Sequence, residues 1–387
     1  MNIDLKDPVT LTQELIKCQS VTPHDGGAID LIQKNLETLG FVCKQLKFSS
    51  DDSEEIINLY ARYGKSTPNF CFAGHSDVVP IGNSESWKYN PFSGIIDNHY
   101  IYGRGASDMK GAIAAFISAA DKLIYDTKGS FNGSISLLIT GDEEGPAING
   151  TKKVLSWLDD KNEILDDCLV GEPTNPSRLG EMIKIGRRGS INIFLSVFGK
   201  QGHVAYPKLA ENPIPKIIKI LNILNNKSID NGNEHFQPSN LEITSIDVNN
   251  NTNNLIPEKV SAIFNIRFNN DQSSIDIFNW VKKVCETVTN NFKLDFKTSG
   301  EAFLTPPGKL SNILSNVIKE ELNIEPKLST SGGTSDARFI KDFARVVEFG
   351  LISKTMHQVD EKIKVKDIIN LKNIYYETLK QYFNISL

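Results

Sequence analysis

The sequence predicts a mixed α/β protein in which a smaller α+β domain interrupts a larger layered α/β domain. Over the first half, short apolar runs that end in glycine- or acid-rich loops alternate with stretches of helical periodicity. In the second half the order of periodic segments becomes β-α-β-β-α-β, the signature of a ferredoxin-like split βαβ unit. A length of 387 residues also exceeds what one ordinary core fills, so two domains are expected.

Val9 to Lys17 and Ile29 to Leu39, the latter stopped by Gly40, carry apolar residues at helical spacing. Asn69 to Ala73 reads as a buried strand that exits into Gly74-His75-Ser76-Asp77. Met109 to Ile124, rich in Ala, Ile and Leu, reads as a helix with Asp108 at its N-terminal end. Ser134 to Thr140 and Cys168 to Val170 are strands that end in Asp142-Glu143-Glu144 and Gly171-Glu172-Pro173. The pattern changes after Glu181. Ile183 to Phe198, Leu241 to Val248, Val260 to Phe268 and Phe292 to Lys297 read as strands, and Pro213 to Leu224 and Ile275 to Thr289 as helices. Leu310 to Leu322 is then a helix and Val346 to Phe349 a buried strand. The expected domains are 1–181 with 296–387, and an insert over 182–295.

Composition excludes several classes. A net charge of −5 with no dense Lys/Arg stripe leaves no footprint for nucleic acid. No apolar run is long enough to span a bilayer, and Met1 to Thr10 lacks the basic and apolar regions of a secretory signal. Five cysteines, odd in number and without CxxC spacing, read as reduced, buried thiols of a cytoplasmic protein.

Loops that follow strands of an open α/β sheet gather along one edge, where ligand sites form. His75, Asp108, Glu144, Glu172 and His357 would bring two imidazoles and three carboxylates there, a donor set suited to Zn or a related divalent ion rather than Ca. If Asp108 bridges, each of two metals receives one His, one terminal carboxylate and one shared oxygen. Asp77 is spaced to orient His75 through its far nitrogen, and Glu143 is a spare carboxylate able to take a proton from water at the metals. Each residue also has a plainer reading. His75 can be a hydrogen-bonded structural histidine, Asp108 a helix cap, and Asp142-Glu143-Glu144 a solvated loop.

The strings GHSDVVP, PFSGII, YGRGASDMKGAIAA, GDEEGPAINGT and GEPT are, in this order, very similar to the motifs of the M20 family of dinuclear zinc amidohydrolases and peptidases. The resemblance covers almost the whole chain. It implies a zinc-peptidase-like α/β/α catalytic domain with an inserted dimerisation (lid) domain, and two Zn²⁺ per subunit with Co²⁺ as a substitute. Carried over, it makes His75 and Glu172 ligands of one zinc, Glu144 and His357 ligands of the other, and Asp108 the bridge. It makes Glu143 the general base and acid, Asp77 the support of His75, and the Asp108-Met109 peptide cis. Through GKQGHVAYPKLAENPI it implies that His203 reaches the neighbouring subunit's site in a homodimer.

KIGRRGS, NNLIP, FNIRF, FLTPPGKL and STSGGTSDARFI narrow the similarity to members that hydrolyse N-succinyl-LL-2,6-diaminopimelate. A polycarboxylate substrate calls for guanidinium forks. Arg187, Arg188, Arg267 and Arg338 are the candidates, with Asn254, Thr334 and Ser335 as further contacts. Trp87 and Phe92 are expected to line or underlie the cleft. Arg187 and Arg188 can instead be a surface strand end, and Arg338 can pair with Asp336 or Asp342. Upstream of His357 the run Gly350-Leu351-Ile352-Ser353-Lys354-Thr355-Met356 lacks the Gly-Pro and Asn usual in those members. Another M20 deacylase, such as an acetylornithine deacetylase or an aminoacylase, would use the same metals with fewer anion contacts. A non-catalytic metal-binding protein would keep the ligands but have no need of Glu143.

Overall fold

The computed structural model describes residues 4–51 and 53–386. The chain divides into two compact units, one of Met1–Ile185, Thr305–Ser329 and Ser335–Leu387, the other of Gly186–Leu304 with Thr330–Thr334.

The first unit is built on an eight-stranded sheet in the order Val42–Ser50, Ser53–Tyr63, Ser134–Thr140, Asn69–His75, Asp167–Val170, Arg345–Glu348, Met182–Lys184, Lys327–Ser329. The third to sixth of these are mutually parallel. Parallel strands are covered on both faces, and accordingly every residue of Asn69–His75 and Ser134–Thr140 is buried. The helix Gly111–Asp126 packs against the helices Pro8–Lys17 and Val365–Tyr382. The Phe72 ring stacks on Phe116 of that helix with centroids 4.3 Å apart, and Tyr375 meets Phe72 edge-on at 5.8 Å. Such ring pairs add about 0.5–1.5 kcal/mol each beyond area burial. They fix the strand whose last residue is His75.

The second unit has the sheet order Asn240–Asp247, Lys259–Phe268, Gly189–Phe198, Phe292–Gly300, every neighbour antiparallel. With the helices Ile214–Asn226 and Ser274–Glu286 this is the expected β-α-β-β-α-β arrangement. Strict alternation puts Ile191, Ile193, Leu195, Val197, Phe264 and Ile266 against the helices.

Three expectations need correction. The stretch from Ile183 to Phe198 is not one strand. It is broken into Met182–Lys184, Gly186–Arg187 and Gly189–Phe198. A Cβ on Gly186 would stand 2.3 Å from the Phe303 carbonyl oxygen, and one on Gly189 would stand 2.2 Å from the Phe268 ring. Only a residue without a Cβ fits these close approaches. Second, a boundary at 295 would cut the strand Phe292–Gly300, which pairs along its length with Gly189–Phe198, so the unit runs to Leu304. Its start moves from 182 to Gly186, because Met182–Lys184 pairs within the large sheet. Third, all five cysteines are free but only Cys71, Cys168 and Cys285 are buried, Cys18 and Cys43 being partly exposed. Among the described residues no helix is long and apolar enough to cross a membrane.

Candidate metal centre and active site

Four parallel strands deliver their C-terminal ends to one edge of the large sheet, and the acidic residues lie there. His75 ends its strand, Glu143 and Glu144 follow Ser134–Thr140, Glu172 follows Asp167–Val170, and Arg345–Glu348 leads into the segment that carries His357. Asp108 comes from the turn Ala106–Lys110, and the Asp108-Met109 peptide is cis. The helix after it begins at Gly111 with Lys110 at the cap position and no side-chain cap bond, so Asp108 is not its cap.

The two carboxylate oxygens of Asp108 face two different imidazoles. Oδ1 is 3.1 Å from His75 Nε2, and Oδ2 is 3.1 Å from His357 Nε2. Glu144 Oε1 stands 2.8 Å from the same His357 nitrogen, and Glu172 Oε1 stands 3.7 Å from His75 Nε2. Two overlapping triads, His75 with Asp108 and Glu144, and His75 with Glu143 and Glu172, each hold their ligand atoms within 4.8 Å of one another. Four carboxylates against at most two charged imidazoles leave a net negative cluster, which burial makes costly unless cations enter. The oxygen and nitrogen donors fit divalent zinc-like ions.

The electrostatics of the bare site follow from this crowding. Burial opposes the His75 imidazolium, but its hydrogen bond to Asp108 and the charges of Asp108, Glu172 and Asp77 hold its pKa well above the ordinary value. For His357 the hydrogen bonds to Asp108 and Glu144 push it up to about 10. Burial, followed by the charge of Glu172, pushes Glu143 well up. Burial alone would raise Asp108 too, yet its hydrogen bonds to His357 and His75 pull it below the usual carboxylate range.

Asp77 differs in detail from its expected arrangement. His75 Nδ1 donates to the Asp77 main-chain oxygen at 2.9 Å, while the nearer carboxylate oxygen of Asp77 is 3.7 Å away. That carboxylate instead accepts the N–H groups of Glu143 at 3.3 Å and Glu144 at 3.0 Å, so one residue fixes both the imidazole and the acidic loop. The loop is not a solvated one. Asp142 is fully buried and accepts the N–H groups of Ile148 and Asn149 at 2.8 and 2.9 Å.

Two buried residues went unnoticed in the sequence. Arg104 and Glu361 pair at 2.7 Å beneath the Asp108 turn. Arg104 lies inside the YGRGASDMKG string and Glu361 four residues after His357, which was the available signal. Trp87 is buried under the Arg104 guanidinium at 5.2 Å, and Phe92 is half-buried. Arg338 stands 3.8 Å from Asp336 and stacks on Phe339 at 4.6 Å. Ser335 gives its hydroxyl to Glu348 at 3.0 Å, which leaves only its main-chain N–H to offer an anion.

The remaining candidates belong to the second unit. Arg187 is buried and donates to the Gly333 carbonyl at 3.1 Å, beside the half-buried Thr334. Arg188 is therefore not a free strand end. Its Nη1 holds Asn240 Oδ1 at 2.8 Å, and its Nε is buried without a hydrogen-bond partner. Arg267 donates from Nε to Asn265 at 3.0 Å and leaves its Nη1 buried and unpartnered. Burial and then the charge of Arg188 lower the Arg267 pKa. The two guanidiniums are half-buried and close enough for their charges to interact. His203 and Asn254 are exposed neighbours: Gly202–His203 pairs with Leu255–Ile256, and the Val204 N–H donates to the Asn254 oxygen at 3.1 Å.

Residues 71–381 match the sequence model of Peptidase family M20/M25/M40. Proteins named succinyl-diaminopimelate desuccinylase are similar throughout. The one from Pelagibacter ubique is 52% identical over 379 residues, covering 97% of this chain and 98% of its own. The one from Ehrlichia canis is 52% identical over 381 residues, covering 98% and 99%. Among solved structures, an M20 metallo-carboxypeptidase from Sulfolobus solfataricus superposes with a TM-score of 0.78 at 18% identity, covering 98% of this chain and all of the other. A dinuclear metal-binding M20 peptidase from Bacillus subtilis gives 0.71 at 14% identity, with 99% of each chain covered. The cluster of metal-capable side chains on the sheet edge and the match over most of its length agree: the chain belongs to the metal-dependent peptidase family M20/M25/M40.

Proposed function

We propose that this chain hydrolyses N-succinyl-LL-2,6-diaminopimelate to succinate and LL-2,6-diaminopimelate, a step toward lysine and cell-wall precursors, as a cytoplasmic homodimer with two zinc ions per subunit. The observation that carries the reaction is a carboxylate in excess of the ligand set, Glu143, placed with His75 and Glu172 beside the Asp108 cluster. The full-length similarity to proteins named for this activity supports the substrate.

His75 and Glu172 would hold one zinc, Glu144 and His357 the other, and Asp108 both. Zinc bound there supplies a Lewis acid that polarises the scissile carbonyl and lowers the pKa of water. Glu143 takes the proton of the attacking water as the new C–O bond forms, then delivers it to the amide nitrogen as the C–N bond breaks. Asp77 keeps Glu143 in place through its N–H and, through the bond to Nδ1, leaves His75 Nε2 facing Asp108. Arg187, Arg267, Arg338, Asn254 and Thr334 read the carboxylates of the substrate, with Arg188 beside Arg267.

The similarity to proteins named for the succinyl substrate, with half-buried Arg188 and Arg267 in the second unit, favours a substrate with more anionic groups than an N-acetyl amino acid offers. The deciding assay compares N-succinyl-LL-2,6-diaminopimelate with N-acetylornithine on one preparation. The succinyl substrate is expected to lead in kcat/KM by at least about 10²-fold, because polar groups of the site are left unpaired by the other. Equal or reversed preference would contradict the assignment. Arg267→Lys keeps the charge and loses the fork, so KM should rise about 10-fold or more with kcat nearly unchanged. Unchanged steady-state constants would discard that role.

His203 serves the partner's site in this reading. Mixing Glu143→Ala with His203→Ala chains, each nearly inactive alone, should restore roughly a quarter of wild-type activity on random re-pairing, since half the dimers are mixed and one site in each is whole. No recovery despite proven exchange would mean that His203 acts in its own chain or not at all.

A further inference from the structure

We propose that Arg104 and Glu361 are a positioning pair that clamps the Asp108 turn and the His357 loop into one metal-binding geometry, Glu361 acting chiefly on Asp108 and Arg104 chiefly on His357. The inference rests on reading Asp108 and His357 as metal ligands.

Arg104 is 2% exposed and Glu361 0%, so the pair has left water entirely. A buried ion pair of this kind is weak evidence for stability, because an apolar pair of the same size often serves as well. What it can supply is direction: Glu361 accepts from the Asp108 turn, and Arg104 donates to the His357 loop and to Pro80, with its Nε left unpartnered. Glu361 Oε1 accepts the N–H of Ser107 at 2.9 Å and of Asp108 at 3.2 Å, while Oε2 accepts Arg104 Nη1 at 2.7 Å. Arg104 Nη1 also donates to the Gln358 carbonyl at 3.2 Å, and Nη2 donates to the carbonyls of His357 at 3.4 Å and Pro80 at 3.3 Å. The guanidinium carbon lies over the Trp87 ring, 5.2 Å from its centroid.

The clamp matters most at His357. Its side chain is 44% exposed, so packing does little to fix the ring. Its backbone sits at φ +61°, a left-handed conformation that is uncommon for any residue but glycine. The ring is held by its bonds to Asp108 and Glu144, and the backbone that carries it is held by Arg104 through the carbonyls of His357 and Gln358. The Asp108 N–H is held by Glu361 in the same way. Outer partners of this kind are worth about 10–100-fold in metal affinity.

The test titrates the full-length chain, stripped of metal, with Zn²⁺ against a chromophoric chelator, and records the absorption spectrum of the Co²⁺-loaded protein. Arg104→Lys keeps a cation beside Glu361 but cannot fork to three carbonyls. It is expected to bind one metal normally and the second about 10–100-fold more weakly, with an altered cobalt spectrum. Glu361→Gln turns one accepting edge into a donor and should weaken both metals by a similar factor. An apolar pair, Arg104→Met with Glu361→Leu, separates positioning from stability: its metal-free melting temperature should equal or exceed wild type while metal binding stays impaired. Wild-type affinity and stoichiometry in Arg104→Lys and in the apolar pair would overturn the inference, as would a loss of affinity that merely tracks melting temperature. Asp108→Ala and His357→Ala serve as references. If they lose metal while the clamp variants do not, the clamp fails alone; if they keep both metals, the ligand reading fails and the clamp with it.

Discussion

Glu143→Gln is expected to retain both metals and lose turnover by about 10²–10⁴-fold, the usual worth of a positioned acid-base group. The substitution preserves shape and removes only the ability to take and return a proton. Its main-chain N–H, bonded to Asp77, is untouched, so the loop should stand. A fall in kcat with KM nearly constant is the pattern for a group that acts in the transition state. Metal content and hydrolysis are measured on one sample. Near-normal turnover would remove Glu143 from the mechanism, and loss of a metal would make it a ligand.

A larger effect is expected from Asp108→Ala. Because its two oxygens each contact a different imidazole, one deletion should release both metals, beyond the roughly 10–100-fold seen on losing an outer partner, and activity should vanish with them. Inductively coupled plasma analysis after gel filtration reads this directly. A variant that keeps one full equivalent of metal would show that Asp108 serves a single ion.

The strands that build the site were legible because they are parallel and buried. Asn69–His75 and Ser134–Thr140 read as continuous apolar runs, and the acidic residues after them mark where those runs end. The antiparallel hairpin Val42–Ser50 and Ser53–Tyr63 was missed because its outer strand, at the sheet edge, is largely exposed and polar. The helices Thr151–Asp160 and Val365–Tyr382 were missed although each carries the buried apolar stripe by which Val9 to Lys17 was read. In the site, ligand types and spacing pointed to His75, Asp108, Glu144 and Glu172. Arg104 and Glu361 carried no such mark, since the chemistry of a buried Arg–Glu pair depends on a contact across 257 positions of sequence. Asp77 was found, but the use of its carboxylate on the Glu143 and Glu144 backbone is a matter of three-dimensional approach that spacing does not encode.

Two metals bridged by Asp108 are the most direct expectation to test. Crystals of the zinc-loaded protein, with diffraction recorded above and below the zinc absorption edge, would place the metals without reference to activity. The expected anomalous map has two peaks flanking Asp108, one within ligand distance of His75 and Glu172 and the other of Glu144 and His357, with Glu143 bound to neither. A single peak, or two peaks that Asp108 does not bridge, would contradict it.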